Sequence, residues 1–389
     1  MSLRSILRTS HLSHVLAVLV GVVSLGVVPA QSASAASVEA LQPSWGTNGR
    51  VYEVLADPAS GRVYVAGDFT AVTDALGETT ASIAHVAAFL PATGTFDTSW
   101  HPSPNGGVVS LALQNGTLYM GGNFTTVGGQ SRARLAAVDA ATGAVNDWDP
   151  GATGNVKALA AGGDYIYVGG STTAVGGSRQ PYLARVGAQA GTDTRDTGWS
   201  PTLNGRVLSI VVNGEQVYVG GEFSTVNGSG AGRSIASLTT SSPASLTPGF
   251  VSGETNESAR APATELHLAD GRLLAALAGS GGACASLDAT TGATLWSKHS
   301  NGNMQAITEL GGTVYCGGHF GGAGSFAGLD RSKLAAVDLV SGNTDVTFRP
   351  RINSAKGVWA LDSDASRLFA GGDFTKVSGK TQFRLAVFA

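Results

Sequence analysis

The sequence predicts an all-β fold: a seven-bladed β-propeller of four-stranded antiparallel blades, its last blade completed by the N-terminal strand. Three observations carry that expectation. A motif of apolar residues and tyrosine followed by Gly-Gly-x-Phe recurs along the chain; the composition holds 55 Gly and only 13% charged residues; and the two ends of the chain read as complementary halves of one repeat. So much glycine and so little charge exclude a disordered chain. Many short strands joined by tight turns have this composition.

The repeat is legible strand by strand. VYVAGDF at 63–69, LYMGGNF at 118–124, VYVGGEF at 217–223, VYCGGHF at 314–320 and LFAGGDF at 368–374 are its second strands, with IYVGGST at 166–172 as a variant. Upstream of each lies an apolar-x-x-apolar start: Val51/Val54, Val108/Leu111, Val156/Leu159, Val207/Ile210, Met304/Ile307 and Val358/Leu361. Downstream come small apolar third strands such as 134–139, 333–338 and 384–388. Turns follow at 139–143, 288–292 and 338–342, where Asp caps the turn and Gly supplies positive φ. Each unit then ends on one aromatic, at Trp100, Trp148, Trp199, Phe250, Trp296 or Phe348. A degenerate unit from Ala263 lacks Gly-Gly-x-Phe but recovers the pattern at Cys284 and Trp296, which makes seven units.

Repeats of this length suit either a solenoid or a closed ring. The last unit stops in its third strand, while Leu41 to Gly49 matches the unit ends at 98–106 and 199–205. An N-terminal strand that completes the last blade removes both free sheet edges, which predicts closure. Both faces of each blade then pack on neighbours, which explains strands apolar on both sides.

The first 35 residues read as a cleaved secretory signal peptide, leaving 36–389 as a single domain. Arg4 and Arg8 form a positive start, Val15 to Val28 an apolar core, and Ala33-Ser34-Ala35 the cleavage site. That apolar run is short of the roughly 20 residues that span a bilayer. The expectation is a secreted, extracellular, monomeric protein with no membrane association after cleavage. Without Arg4 and Arg8, the 24 basic residues fall to 22 against 27 acidic ones, a net charge near −5. No basic run remains, which excludes nucleic acid as a partner.

The units with VYVGG-x-F-T-x-V-x-G, R-x-L-A-A-V-D-x-x-T-G and W-x-P-x-x-x-G-x-V resemble the bacterial delta-60 repeat, a β-propeller family of unknown function, and more loosely kelch and quinoprotein repeats. The resemblance spans Val51 to Ala389 plus the N-terminal strand and implies a fold, with no reaction or catalytic residues to carry over. Residues 284–296, CASLDATTGATLW, are similar to the tryptophan-docking repeat of pyrroloquinoline-quinone dehydrogenases, in which the Trp is structural. Those enzymes place adjacent cysteines over the cofactor, whereas Cys284 and Cys316 are far apart in sequence. No cofactor is expected.

A residue type that recurs at one place in most blades serves packing; a functional site breaks the pattern. Asp68, Glu222 and Asp373 recur in the Gly-Gly-x-Phe slot, and Arg134, Arg233, Lys333 and Arg384 at the next strand, so cross-strand ion pairs such as Asp373 with Arg384 are expected. The Asp-x-x-x-Gly turns lack the alternating ligands of a calcium loop, and His85, His101, His267, His299 and His319 have no metal-ligand spacing. No metal site is expected. Cys284 and Cys316 sit in adjacent units, as either a disulfide or two buried thiols.

The pattern breaks where the extended connection from Phe250 to Ala263 adjoins the very short second loop of the fifth unit, Ala278 to Ala283. A long loop beside a short one predicts a notch, with Glu254, Asn256, Glu257, Arg260, Lys298, His299, His319 and Phe320 as its binding residues. The functional expectation is a non-catalytic binding or scaffolding protein that recognises glycan or protein partners through its loop face. A hydrolase or lyase would instead need titratable side chains from different blades to converge.

Overall fold

The computed structural model describes residues 41–254, 261–279 and 281–389. The chain divides into units 1–34 and 35–389, and all described residues belong to the second. The expected leader, together with Asn256, Glu257 and Arg260, lies outside them.

The fold is a β-propeller with one helical turn among the described residues, the 3₁₀ segment Gly230–Gly232. Its sheets are antiparallel meanders. The first runs Val51–Asp57, Arg62–Gly67, Val86–Leu90, Thr95–Phe96, and the fifth Ala263–Ala269, Arg272–Leu277, Ala283–Asp288, Thr294–His299. In the second, third, fourth and sixth sheets three strands pair fully, and the fourth is reduced to single bridges such as Val138 with Val145. In the seventh sheet, Val358–Ser363, Leu368–Gly372 and Leu385–Phe388 are joined by Leu41–Gln42, with Leu41 opposite Phe388 and Gln42 opposite Val387.

Hydrophobic clusters lie between successive sheets, which is why strands are apolar on both faces. Tyr64, Ala66 and Trp100 of the first sheet pack with Val108, Leu118 and Met120 of the second. The same relation joins last to first, where Ala360, Phe369 and Val387 pack with Val51, Val54 and Val65. Trp indoles reach across four of these junctions. Trp100, Trp148, Trp199 and Trp296 donate through Nε1 to the carbonyls of Ala140, Gly187, Thr239 and Leu339 in the following sheet, at 3.0, 2.8, 2.9 and 2.9 Å. Close sheet approach explains the double glycine: a Cβ on Gly371 would stand 2.5 Å from Val51 Cγ1.

The N-terminal residues repeat the contacts of the internal linkers. Asn105 Oδ1 accepts from the Thr125 and Thr126 amides at 2.8 and 3.0 Å, and Asn48 Oδ1 accepts from Thr70 and Ala71 at 2.9 and 3.0 Å. Arg134 donates to Ala152 O at 3.4 Å, and Arg384 likewise to Thr47 O at 2.8 Å.

Those arginines correct one expectation. Arg384 does not pair with Asp373, which instead accepts from Ser354 Oγ and the Lys356 amide. Likewise Asp68 accepts from the Arg50 amide at 2.7 Å and Tyr52 OH at 2.8 Å, and Glu222 pairs with Arg206 at 2.6 Å. The acidic slot faces the start of the first strand. Arg134, Lys333 and Arg384 recur as positive-φ residues, with φ of 67°, 70° and 66°, whose backbones tie the second strand to its loop. In the Arg134 case, its N–H donates to Phe124 O and its carbonyl accepts from Gly122, both at 3.1 Å.

Candidate functional site: the mouth of the central channel

Every first strand carries the same irregularity. Opposite the second strand the register shifts between Val51 and Glu53, Val156 and Ala158, Val207 and Ser209, Ala263 and Glu265, Met304 and Ala306, and Val358 and Ala360. In the second sheet the shift lies between Gly121 and Gly122, paired to Ser110 and Val108. Each shift is a β-bulge that leaves one residue out of the ladder and re-aims its side chain. The residues left out are Tyr52, Val109, Lys157, Leu208, Thr264, Gln305 and Trp359, and all of them line one cavity of about 920 Å³. A pocket fed by the first strand of every sheet is the mouth of a central channel.

The backbone repeats here and the side chains do not. Arg50 packs over Tyr52 and Trp359, its guanidinium carbon 5.4 and 5.2 Å from their ring centroids, and it donates to Tyr52 OH at 3.0 Å. The two rings meet edge to face at 5.9 Å. The indole Nε1 of Trp359 and the amide Oε1 of Gln305 are enclosed without a protein partner. Arg206 is neutralised by Glu222, and the half-buried Lys157 side chain has no hydrogen bond or ion pair among the described residues.

The residue after each bulge points at the next sheet. Ser110 Oγ accepts from the Leu159 amide at 2.9 Å, and Ser209 Oγ from Leu266 at 3.0 Å. Glu265 takes the same role, its Oε2 accepting from Ile307 at 2.9 Å, while further along the seventh sheet Asp362 Oδ2 accepts from Ala56 at 2.7 Å. Glu53 is the counterpart of Glu265 in the first sheet. Burial, reinforced by Asp362, pushes the Glu53 carboxyl up to about 8. Glu265 is raised well above the usual range by burial and then by Glu53, against the opposing pull of the Ile307 amide. Asp362 rises to about 6 through burial, although its two amide donors act the other way. Near neutral pH, Glu53 is largely protonated and can donate as well as accept. His267, two residues beyond Glu265, is held down to about 4 by burial and stays neutral.

Of the sequence-derived notch residues, those described lie elsewhere. Glu254 accepts from Thr294 Oγ1 at 3.0 Å and from Ser297 Oγ at 3.4 Å, on the outermost strand of the fifth sheet. Lys298 and His299 close that same strand and His319 is exposed at the end of a second strand; none of these lines the cavity. Phe320 corrects the expectation outright: it is 1% exposed, 5.5 Å from Phe326, and fills the core beneath its loop. It occupies the Phe of Gly-Gly-x-Phe, as do Phe69, Phe124, Phe223 and Phe374, all buried. The short 278–283 loop does matter, because Ala278, Pro262 and Asn303 edge the cavity there. Cys284 and Cys316 are disulfide-bonded, joining the third strand of the fifth sheet to the second strand of the sixth.

The residues that reasoning missed were the two unassigned positions of each apolar-x-x-apolar start. They read Tyr-Glu, Val-Ser, Lys-Ala, Leu-Ser, Thr-Glu, Gln-Ala and Trp-Ala in chain order, a variability inside a constant frame. A further break, Arg185 at 4% exposure, is fully engaged: it pairs with Asp196 at 2.6 Å, donates to Thr240 O and packs 4.0 Å from the Tyr165 ring centroid. It is structural.

No family model matches the chain, and no curated protein does. Among solved structures it is similar to the computationally designed Ika8 protein, at TM-score 0.54 and 14% identity over 88% of this chain and 97% of that one. It is equally similar to the WD40 β-propeller domain of Doa1, at TM-score 0.54 and 14% identity over 90% and 96% of the respective chains. At this identity the likeness speaks for the propeller fold alone.

Proposed function

We propose that this chain is an exported, non-catalytic binding module, a seven-bladed propeller closed by its own N-terminal strand, that seats a glycan or protein partner at the mouth of its central channel. The observation that carries this reading is the ring of bulges, a repeated backbone device presenting seven dissimilar side chains to one cavity. Closure is supported by the Leu41–Phe388 pairing and by Asn48 and Arg384 making the contacts of internal linkers. The test is a glycan-array and secreted-proteome capture with the mature protein and with Tyr52→Ala/Trp359→Ala. Capture that survives the double substitution moves the site away from the channel.

One observation favours a second reading, a hydrolase or lyase. Glu53, Glu265 and Asp362 come from three sheets, act on one another electrostatically, and differ in proton affinity. Carboxyl groups tuned apart are what general acid and base roles require. Turnover of any captured ligand, abolished by Glu53→Gln, would replace the first reading with this one.

A further inference from the structure

We infer that the channel mouth takes the end of an acidic glycan, with a uronate carboxylate held by Lys157. This rests on the channel being the binding site and names its ligand class. A cavity of about 920 Å³ lined by the first strands admits a small ligand or a chain end. Its lining is rich in groups that donate and accept: Glu53, largely protonated at neutral pH, stands there with Ser110, Asn123, Ser209 and Asn303. Hydroxyls match such a mixed set of donors and acceptors better than an apolar ligand does.

The charge balance then selects an anion. The charged groups facing the cavity are Arg50, Asp68, Lys157, Arg206 and Glu222, with the titrating pair Glu53 and Glu265, and Asp362 behind Glu53. Arg50 is engaged by Tyr52, whose hydroxyl donates to Asp68, and Arg206 is bound by Glu222. Lys157 is the cation left over. It stands between Val109 and Leu208 in ring order, so its immediate neighbours compete for neither its charge nor its hydrogens.

Two consequences separate this inference from a generic glycan site. Affinity for a uronate falls as pH rises, because ionising Glu53 places negative charge beside the ligand; a neutral sugar lacks that penalty. The test is calorimetric titration of the mature protein with hexagalacturonate and with cellohexaose at pH 5.5, 7 and 8.5. Expected are at least tenfold tighter binding of the uronate at pH 5.5, loss of that preference in both Lys157→Met and Lys157→Gln, and a flattened pH profile in Glu53→Gln. Equal affinity for the two oligomers, or an uronate preference that survives both Lys157 substitutions, overturns it. If neither oligomer binds while a protein is captured through Tyr52 and Trp359, the acidic-glycan inference fails and the channel reading stands; if capture ignores those residues, both fail.

Discussion

At the outer edge of the sheets, Trp100, Trp148, Trp199 and Trp296 occupy equivalent places and each donates to a backbone carbonyl of the next sheet. At the inner edge, equivalent places hold Tyr52, Val109, Lys157, Leu208, Thr264, Gln305 and Trp359. The outer belt repeats its chemistry because each junction needs the same buried aromatic area, supplied at Phe250 and Phe348 without an indole and elsewhere with a satisfied indole N–H. The inner wall repeats only its backbone, because the bulge excuses one side chain per strand from packing. Uniformity therefore marks what the fold requires, and variety within a fixed backbone marks what it leaves free.

Substitutions on the two edges should differ in kind. Trp148→Ala removes a side chain that is 1% exposed, together with its 2.8 Å bond to Gly187 O, and should cost about 3–5 kcal/mol in denaturant unfolding. A loss below about 1 kcal/mol would break the contrast. Next in size, replacing both Cys284 and Cys316 by Ala opens a loop with sequence separation 32 between the fifth and sixth sheets, and should lower stability by about 3–4 kcal/mol. Reduction of the wild type should shift its midpoint to that of the double variant.

The channel carboxyls predict a pH dependence of the opposite sign to acid unfolding. Glu53 at about 8 and Asp362 at about 6 hold protons more tightly when folded than their ordinary values of 4.5 and 3.8, and Glu265 behaves likewise. The folded state thus binds more protons than the unfolded one between about pH 5 and 8, and their contribution to stability is lost as pH rises through that window. Carboxylates held low by turn hydrogen bonds, such as Asp139 and Asp338, act the other way and only at more acid pH. Glu53→Gln should flatten the slope and raise stability at pH 8 by on the order of 1 kcal/mol, and an unchanged slope would sink this account of the channel. Smallest of all, Arg206→Ala breaks an ion pair whose side chains are 47% and 37% exposed, and should cost under about 1 kcal/mol, less at high salt.

Sequence reading reached the outer edge and stopped short of the inner one. Gly-Gly-x-Phe, the terminal tryptophans and the match of Leu41–Gly49 to internal linkers are local signals with fixed chemistry, and each has its counterpart in the strands and contacts described. Phe320 was misplaced in the notch because loop length was read without knowing which side chains pack: it had already been claimed by the core. Val51-Tyr52-Glu53-Val54 shows the converse. Its apolar ends were recognisable from period alone, but an ideal strand would have sent Tyr52 into a sheet face. A bulge has no sequence signature here beyond the spacing of two apolar residues, so the channel was visible only once register was known.

Because each bulge residue is absent from the ladder, the mouth of this propeller behaves as a set of addressable sockets whose filling leaves the strand pairing untouched. A library randomised at 52, 109, 157, 208, 264, 305 and 359 would leave the Trp belt and the inter-sheet amide contacts in place. New specificities could then be selected without first restoring foldability.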